Sequence, residues 1–304
     1  MRKGNVASSS IRIAMVGHKR IPSREGGVEI VVEELAVRMA ALGHSVTCFN
    51  RRGRPVSGPQ SGGARISAYR GVRLKSVPTL DFKGLAAFSS SVFAAVRAGF
   101  GRYDVVHFHA EGPCAMLWLP RLLGKRCVAT IHGLDWQREK WKHGFAARYI
   151  RLGEKVAARY ADEIIVLSRA TQAYFRHTYG RETRFVPNGI TRPAPVAAHE
   201  IMQRYGLRER GYFLFLGRLV PEKGLRYLIC AYRQLRTTLS LVIAGGGSDT
   251  DAFVAELKAM AGDDPRIAFT GFAQGQLLAE LYSNAAAYVL PSDLEGMPLS
   301  LLEA

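Results

Sequence analysis

The fold is decided by the stretch PSDLEGMPLSLLEA, residues 291–304, together with the apolar run from Ala285 to Leu290 that precedes it. A short apolar run of this kind, bounded by turn residues, is typical of a buried parallel strand. Residues 291–297 then predict a turn, and Pro298 stands where the first turn of a helix tolerates proline. The sequence therefore predicts a strand, a turn and a helix that begins at Pro298.

Two carboxylates flank the start of this helix, Glu295 in the turn and Glu303 eight positions later. Backbone N–H groups at the start of a helix have no partner within the helix, so they attract anionic or hydroxyl-rich ligands. Taken alone, however, an acid pair at this spacing favours an ordinary capped helix with surface acids.

The spacing E-x7-E, with Gly-Met-Pro inside it, resembles the signature of retaining GT-B glycosyltransferases of family 4. The resemblance implies that Glu295 lies against the donor sugar and that Glu303 holds the ribose hydroxyls. It also implies that the backbone after Glu295 meets the sugar and the phosphates, at Gly296, Met297, Pro298 and Leu299. Because further strands and helices follow this helix in such enzymes, we expect the chain to be C-terminally truncated, with an incomplete second domain.

The rest of the sequence predicts two runs of alternating strands and helices. The first run opens with a strand at residues 11–16, a helix from Val28 to Leu42 and a strand at residues 45–50, a β-α-β unit of the doubly wound kind. The apolar residues predicted to form the core face of this helix are Val31, Leu35, Met39 and Leu42. The second run begins at Tyr212, after a turn signal at residues 187–189.

A proline-rich stretch at residues 191–198 is the predicted linker between the two runs. Two such runs predict an α/β protein of the GT-B type with two Rossmann-like doubly wound domains, an acceptor-side domain at residues 1–190 and a nucleotide-sugar domain at residues 191–304. Such sheets bind ligands at the carboxyl ends of their strands, so we expect the loops that carry the motifs to face one another across an interdomain cleft.

The positive charge is unevenly distributed. The chain has a net charge of +17, of which residues 1–190 carry +18 and residues 191–304 carry −1. This asymmetry, with an Arg-rich loop at residues 51–64, predicts an anionic partner for the first half, either a membrane surface or a phosphorylated ligand. A solvated basic surface is the alternative. A nucleic-acid partner is not expected, since no aromatic residues are interleaved along a basic stripe.

The cysteines Cys48, Cys114, Cys127 and Cys230 form no C-x-x-C pair. They predict buried free thiols in a reducing cytosol rather than a disulfide framework or a zinc site. The sequence shows neither a signal peptide nor a membrane span. We therefore expect a cytoplasmic protein that is peripheral on the inner face of the cell membrane.

A basic motif follows the first strand of the second domain. Arg218 and Lys223 lie within the stretch GRLVPEKG, residues 217–224, which opens the next helix. Cations at a helix N-terminus can neutralise phosphate oxygens together with free backbone N–H groups, although a plain basic turn has the same composition. The pattern resembles the family's phosphate-binding motif, which implies that Gly217, Arg218 and Lys223 hold a diphosphate.

Glycines mark three further loops. Gly26 and Gly27 open the first helix, where the backbone can approach a ligand closely, and they do not form the G-x-G-x-x-G of a nicotinamide site. The loop before them, residues 17–25, resembles that of bacterial surface-polysaccharide enzymes, including rhamnosyltransferase-like ones. The resemblance further implies that Gly245 and Gly246, in a stretch that continues to Ser248, flank the nucleotide and that Phe272 lies near the base.

Three histidines and one turn complete the candidate residues. His107 and His109 alternate on a strand, and His132 ends the next strand, which invites a metal site. No carboxylate or cysteine stands at ligand spacing, and enzymes that this chain resembles need no bound metal. His132 matches the family's cleft histidine, which implies contact with the transition state. Asn188 belongs to a turn that is either a hinge or a ligand contact.

We therefore expect a retaining hexosyl- or deoxyhexosyl-transferase that moves a sugar from a nucleotide-diphosphate sugar to an acceptor hydroxyl in bacterial polysaccharide or glycolipid synthesis. The resemblance implies a front-face mechanism, in which the leaving phosphate takes the acceptor proton while Arg218 and Lys223 hold its charge. The expected partners are the nucleotide-sugar donor, a saccharide or lipid-linked acceptor and an anionic membrane surface. No cofactor and no metal are expected besides the nucleotide sugar as co-substrate.

Two alternatives share much of this pattern. A nucleotide-sugar 2-epimerase has the same two-domain plan but needs acids in the first-domain loops, where Glu25, Glu29 and Glu111 are the candidates. A truncated relative that only binds its ligands would keep the motifs without turnover. A basic nucleic-acid-binding protein is a third, different class, and its affinity would fall with salt.

Overall fold

The structure is a computed structural model that describes residues 10–24, 26–52, 66–80, 85–137, 144–247 and 251–304. Most of the Arg-rich loop expected at residues 51–64 lies outside these ranges, as do Glu25 and Ser248.

The chain separates into two compact units, Met1–Asn188 (unit 1) and Gly189–Ala304 (unit 2). The boundary falls within the turn predicted at residues 187–189. The end of the predicted linker already packs on unit 2, because the Val196 N–H donates to Ser283 Oγ at 3.0 Å and the Val196 carbonyl accepts from Asn284 Nδ2 at 2.9 Å.

Unit 1 is built on a sheet that reverses its strand order near the middle. The described strands are β1 (Arg12–Val16), β2 (Ser45–Arg51), β3 (Ala68–Tyr69), β4 (Val72–Val77), β5 (Val105–His109), β6 (Arg126–Ile131), β7 (Glu163–Val166) and β8 (Arg184–Phe185). Their order is β3-β4-β2-β1-β5-β6-β7-β8, and all pairs are parallel except β3 with β4. The chain runs outward from β1 on one side and from β5 on the other. Doubly wound sheets bind ligands at this switch point.

The described helices of unit 1 are α1 (Gly27–Ala41), α2 (Leu85–Phe100), α3 (Glu111–Cys114), α4 (Trp118–Leu122), α5 (Phe145–Tyr160) and α6 (Arg169–Tyr179). A 3-10 turn at Asp135–Gln137 follows β6. The sequence did not predict α3 and α4, because Gly112, Pro113 and Pro120 ordinarily interrupt helices.

The predicted core face of α1 is only partly confirmed, because Leu35 and Met39 pack against the core but stay partly buried. The buried residues of the helix are Glu29, Val32, Glu33 and Ala36. Leu42, expected in the core, is 72% exposed at the end of the helix. The two glutamates can be buried because they accept hydrogen bonds from the loop before the helix, which hydrophobicity alone does not predict.

Unit 2 has four described strands, β9 (Tyr212–Leu216), β10 (Ser240–Ala244), β11 (Ile267–Gly271) and β12 (Ala287–Tyr288). They are parallel and follow the order β11-β10-β9-β12. The described helices are α7 (Glu200–Tyr205), α8 (Leu225–Gln234), α9 (Asp251–Ala261), α10 (Gly275–Ser283) and α11 (Leu299–Glu303). The helix predicted to begin at Pro298 is α11, which begins one residue later, at Leu299. Pro298 is its N-cap. The sequence did not predict α7.

Three of the four cysteines are buried as predicted, Cys48, Cys114 and Cys127. Cys230 was expected to be buried with them but is exposed on α8, because it lies on the outer side of that helix while Ile229 faces the core. Across the described ranges, no helix combines the length and the apolar character that crossing a bilayer requires.

We expect Gly153→Ala to destabilise unit 1. Alanine ordinarily favours a helix over glycine by roughly 0.5–1 kcal/mol, but a Cβ at position 153 of α5 would overlap the carbonyl oxygen of Glu111 in α3. Overpacking of this kind costs about 1–3 kcal/mol, which urea denaturation would measure as a lower free energy of unfolding. Gly27→Ala is the control, since its Cβ would meet no described atom within 4 Å. Equal stability of the two variants would contradict the close packing of α5 on α3.

Candidate active site

Hydrogen bonds join the loops that follow β9, β10 and β11 in unit 2. The Gly217 N–H donates to the Ala244 carbonyl at 3.1 Å, and the Gly245 N–H donates to the Gly271 carbonyl at 2.8 Å. Gly245 has a φ of +145°, and a side chain there would overlap the Gly217 carbonyl. Gly245, predicted from its motif, therefore stands where two backbones pass too close for a Cβ.

The loop between β12 and α11 lies against the loop after β9. The Asp293 N–H donates to the Glu222 carbonyl at 3.0 Å, and a Cβ on Gly224 would overlap the Pro291 carbonyl. Because β12 pairs with β9 on the side opposite β10, the strand order reverses between β9 and β12. These two loops flank the position where doubly wound sheets bind ligands.

Two of the predicted catalytic residues meet at this position. Lys223 Nζ donates a hydrogen bond to Glu295 Oε1 within a salt bridge, and the two side chains are 16% and 25% exposed. Lys223 lies in the 3-10 turn Pro221–Lys223, and Arg218 is partly buried earlier in the same loop. The structure thus brings together the lysine predicted for phosphate and the glutamate predicted for the sugar.

Glu303 is held by a residue that the sequence did not predict. The Tyr282 hydroxyl on α10 donates to Glu303 Oε2 at 3.0 Å. Burial, and after it the negative charge of Glu303, raises the pKa of Tyr282 well above its ordinary value, so the phenol stays protonated. The Tyr282 ring packs against Tyr288, with 6.0 Å between the ring centroids. No motif could have pointed to Tyr282, because its role depends on how α10 packs beside α11.

The remaining donor-binding residues predicted in unit 2 lie in loops at the carboxyl edge of the same sheet. Phe272 directly follows β11 and is 44% exposed, whereas Leu299 begins α11 and is buried. The others are Gly246, Gly296, Met297 and Pro298. Their contacts with a ligand stay predictions.

In unit 1, His132 directly follows β6 and contacts a second histidine. His132 Nε2 lies 3.2 Å from His109 Nδ1, and His107 Nε2 lies 2.7 Å from Thr130 Oγ1. Burial, followed by the nearby rings, lowers the pKa of His109 well below its ordinary value, so this ring is neutral at pH 7. One proton then bridges His109 and His132, and the tautomer of His109 decides which nitrogen of His132 carries hydrogen.

Gly26 is the N-cap of α1 and Gly27 is its first residue. Two buried glutamates of α1 hold the loop before these glycines, and the sequence analysis did not predict this role. Glu29 Oε1 accepts from the Lys19 N–H at 3.0 Å, and Glu33 Oε2 accepts from the Ser23 N–H at 3.3 Å. A glutamate at i and i+4 on an otherwise apolar helix is the signal that could have revealed them. Asn188 ends unit 1 and is partly buried.

The epimerase alternative requires catalytic acids in unit 1, and the two candidates that the structure describes, Glu29 and Glu111, are buried and hold backbone groups instead. Glu29 and Glu111 are only 6% and 0% exposed. Each accepts a backbone hydrogen bond, Glu29 as above and Glu111 from the Asp135 N–H at 2.7 Å. Among the described residues, no group of three or more His, Cys, Asp or Glu side chains is arranged to hold a metal ion.

Comparison with known families assigns both units. Residues 25–192 match Glycosyltransferase Family 4, and residues 198–304 match Glycosyl transferases group 1. The chain belongs to glycosyltransferase family 4. The protein is therefore a glycosyltransferase, and the family predicted from E-x7-E and the Arg218–Lys223 motif is confirmed.

Similar proteins agree with this assignment. The chain is 28% identical to the GDP-mannose-dependent alpha-(1-6)-phosphatidylinositol monomannoside mannosyltransferase of Mycobacterium tuberculosis (strain ATCC 25618 / H37Rv), over 93% of this chain and 75% of that protein. Sucrose-phosphate synthase from Thermosynechococcus elongatus superimposes with a TM-score of 0.70 at 23% identity, covering 96% of this chain and 78% of the other. Anabaena Alr3699/HepE, solved with UDP and glucose, gives a TM-score of 0.73 at 17% identity, covering 97% and 78%. These structures confirm the predicted GT-B fold.

We expect Tyr282→Phe to weaken binding of the nucleotide sugar while leaving turnover of bound substrate nearly unchanged. The variant removes the hydrogen bond that orients Glu303, a loss of about 1 kcal/mol or roughly fivefold in affinity. Isothermal titration with nucleoside diphosphates and their sugars would measure it. Tyr232→Phe is the control, because its hydroxyl donates to the Leu239 carbonyl at 2.7 Å, a bond of the same kind that holds no predicted site residue. An equal effect of both variants would contradict a specific role for Tyr282.

Proposed function

We propose that the protein transfers a hexose or deoxyhexose, with retention of configuration, from a nucleotide-diphosphate sugar to an acceptor hydroxyl in bacterial polysaccharide or glycolipid synthesis. The observation that supports this most is the salt bridge between Lys223 and Glu295, at the point where the strand order of unit 2 reverses. The pair supplies a cation for phosphate oxygens and an acceptor for sugar hydroxyls at one place.

Binding of the sugar donor would exchange the partners of this salt bridge. In the proposal Lys223 moves from Glu295 to the diphosphate, where Arg218 adds a planar guanidinium with several N–H donors. Glu295 is then free to accept hydrogen bonds from the sugar, while Glu303, oriented by Tyr282, accepts them from the ribose.

The proposed reaction uses charge already held by the protein. As the bond between sugar and diphosphate breaks, negative charge grows on the leaving phosphate, and Arg218 and Lys223 stabilise it. The same phosphate takes the proton of the acceptor hydroxyl, on the face where the sugar leaves. Because two cations neutralise the diphosphate, the proposed mechanism needs no metal ion and no cofactor.

For the acceptor we propose a saccharide or lipid-linked molecule presented at the inner face of the cell membrane. The name of the mycobacterial relative includes a phosphatidylinositol mannoside as acceptor. The charge of residues 1–190, +18, suits an anionic bilayer surface.

A surface of unit 1 formed by α2 and α4 fits the same partner. The two helices pack closely, since a Cβ on Gly99 would lie 2.8 Å from Leu123 Cδ1. Large apolar side chains are nevertheless exposed there, including Phe100 at 75% and Leu122 at 72%. The others are Phe93, Val96 and Trp118, and exposed Arg97, Arg102, Arg121 and Arg126 lie on or beside the two helices. Apolar residues flanked by arginine are typical of helices that lie in the headgroup region.

We expect Arg218→Ala and Lys223→Ala each to lower kcat by on the order of 10²–10³, because each removes stabilisation that is stronger in the transition state than in the bound substrate. Glu303→Gln should instead raise the dissociation constant of the sugar donor, since the ribose does not react. Nucleoside diphosphate release over a panel of donors would measure both, and NMR of the product would establish the anomeric configuration. Lys258→Ala, on the exposed side of α9, is the control. Unchanged kinetics for both cation variants would overturn the proposal.

We expect Leu122→Asp to reduce binding to vesicles that contain phosphatidylglycerol. The change replaces an apolar side chain that would insert into the bilayer with a negative charge, which the anionic lipid repels. Sedimentation with vesicles at several salt concentrations would measure this. Leu42→Asp is a matched control, since both leucines belong to unit 1 and are 72% exposed. Equal losses for the two variants, or equal binding to neutral and anionic vesicles, would contradict docking through α2 and α4.

A further inference from the structure

Two buried carboxyl groups of unit 1 have no place in the proposed chemistry, Glu111 of α3 and Glu154 of α5. They are 0% and 1% exposed. The close approach of α5 to α3 at Gly153 makes the two carboxyl groups neighbours. Two buried carboxylates side by side repel each other strongly, so this arrangement needs a specific reason to persist.

Glu154 is surrounded by hydrogen-bond donors. Its Oε2 accepts from Trp136 Nε1 at 3.1 Å, and its Oε1 accepts from the Tyr174 hydroxyl at 2.8 Å and from the Tyr179 hydroxyl. A group that accepts three hydrogen bonds in the interior is stabilised as the anion. Glu154 is therefore the member of the pair that has donors at both of its oxygens.

Glu111 has the opposite surroundings. Its Oε2 accepts from the Asp135 N–H at 2.7 Å, but its Oε1 is buried and meets no hydrogen-bond donor among the described residues. The carboxyl group of Glu154 interacts with that of Glu111, and an ionised carboxylate can only accept hydrogen bonds. A proton on Glu111 Oε1 converts this contact between two acceptors into a hydrogen bond. Burial, followed by the carboxyl groups of Glu154 and Asp135, accordingly raises the pKa of Glu111 far above its ordinary range.

Glu111 and Glu154 accept hydrogen bonds from adjacent residues of one segment. Glu111 holds the backbone of Asp135 and Glu154 holds the indole of Trp136, both within the 3-10 turn at Asp135–Gln137. The Arg151 guanidinium lies 4.6 Å from the centre of the Trp136 ring. This turn begins three residues after His132, whose ring is fixed at the other end by His109.

We propose that Glu111 and Glu154 share one proton, carried on Glu111 Oε1, and act together as positioning residues that fix the segment bearing His132. The catalytic consequence rests on the proposed role of His132 in the transfer. The proton assignment does not, because it follows from the number of donors around each carboxyl group.

The assignment predicts that the two glutamine variants behave differently. In Glu111→Gln the amide oxygen can accept from Asp135 while the NH2 group donates to Glu154, so we expect kcat within about twofold of wild type. In Glu154→Gln the NH2 group must face one of three donors, so the turn loses a contact. A displacement of about 1 Å can cost on the order of 10² in rate, and we expect kcat to fall at least tenfold. The affinity for the sugar donor, measured by titration, should not change.

Hydrogen–deuterium exchange of residues 132–137 is the second measurement, and it is independent of activity. Exchange of the Asp135 amide should accelerate in Glu154→Gln and remain slow in Glu111→Gln. If Glu154→Gln does not fold, Trp136→Phe removes the indole N–H donor, together with part of the ring, while leaving the carboxylate in place, and it should change exchange and kcat in the same direction. Ala161→Gly, at the far end of α5, controls for lost stability and should leave kcat unchanged.

Each result has a distinct meaning. Rapid exchange and low kcat in both glutamine variants, or wild-type behaviour in both, would overturn the proton assignment. Slow exchange in Glu154→Gln and in Trp136→Phe would overturn the positioning role. If His132→Ala keeps full activity while exchange follows the expected pattern, then the role of His132 in the transfer is wrong and the shared proton stands.

Discussion

The parallel pairing of β9 with β10 on one side and with β12 on the other is the constraint on which the candidate site of unit 2 depends. It places the loops that follow β9 and β12 side by side at the carboxyl edge of the sheet, where the Asp293 N–H donates to the Glu222 carbonyl. Lys223 and Glu295, which are 72 positions apart in sequence, meet as a result. Glycine at positions 224 and 245 is the local requirement, because the loops cross with no room for a Cβ.

In unit 1, buried glutamates contribute to holding the loops. They accept hydrogen bonds from the segment before α1 and from the segment after β6. Taking a carboxylate out of water is costly, and the cost is offset only where the group is met by N–H and O–H donors. The donors are distributed unequally, since Glu154 accepts three hydrogen bonds whereas Oε1 of Glu111 meets no donor among the described residues.

The sequence predicted the parts of the fold that follow from local pattern, and it failed where tertiary contacts override that pattern. Apolar runs and turn residues indicated the alternation of strands and helices, and the spacing of Glu295 and Glu303 indicated the family. Hydrophobicity did not predict the burial of Glu29 and Glu33 on α1, because nothing local indicates that they find partners in a neighbouring loop. The contacts of Glu111 and Glu154 could not be predicted for the same reason, since their four donors come from two other segments of unit 1, the 3-10 turn and α6.

The salt bridge between Lys223 and Glu295 also bears on which ligands remain in place. Each side chain already has a counterion within the chain, so an incoming molecule must displace an internal competitor before it gains a contact. An intact nucleotide sugar can compensate both partners, its phosphates satisfying the lysine and its hydroxyls the glutamate. A nucleoside diphosphate that has lost its sugar compensates only the lysine and leaves a carboxylate beside it that recaptures the cation. Under the proposed function, the same ion pair therefore favours departure of the spent nucleotide over its retention, and unit 2 discriminates between substrate and product.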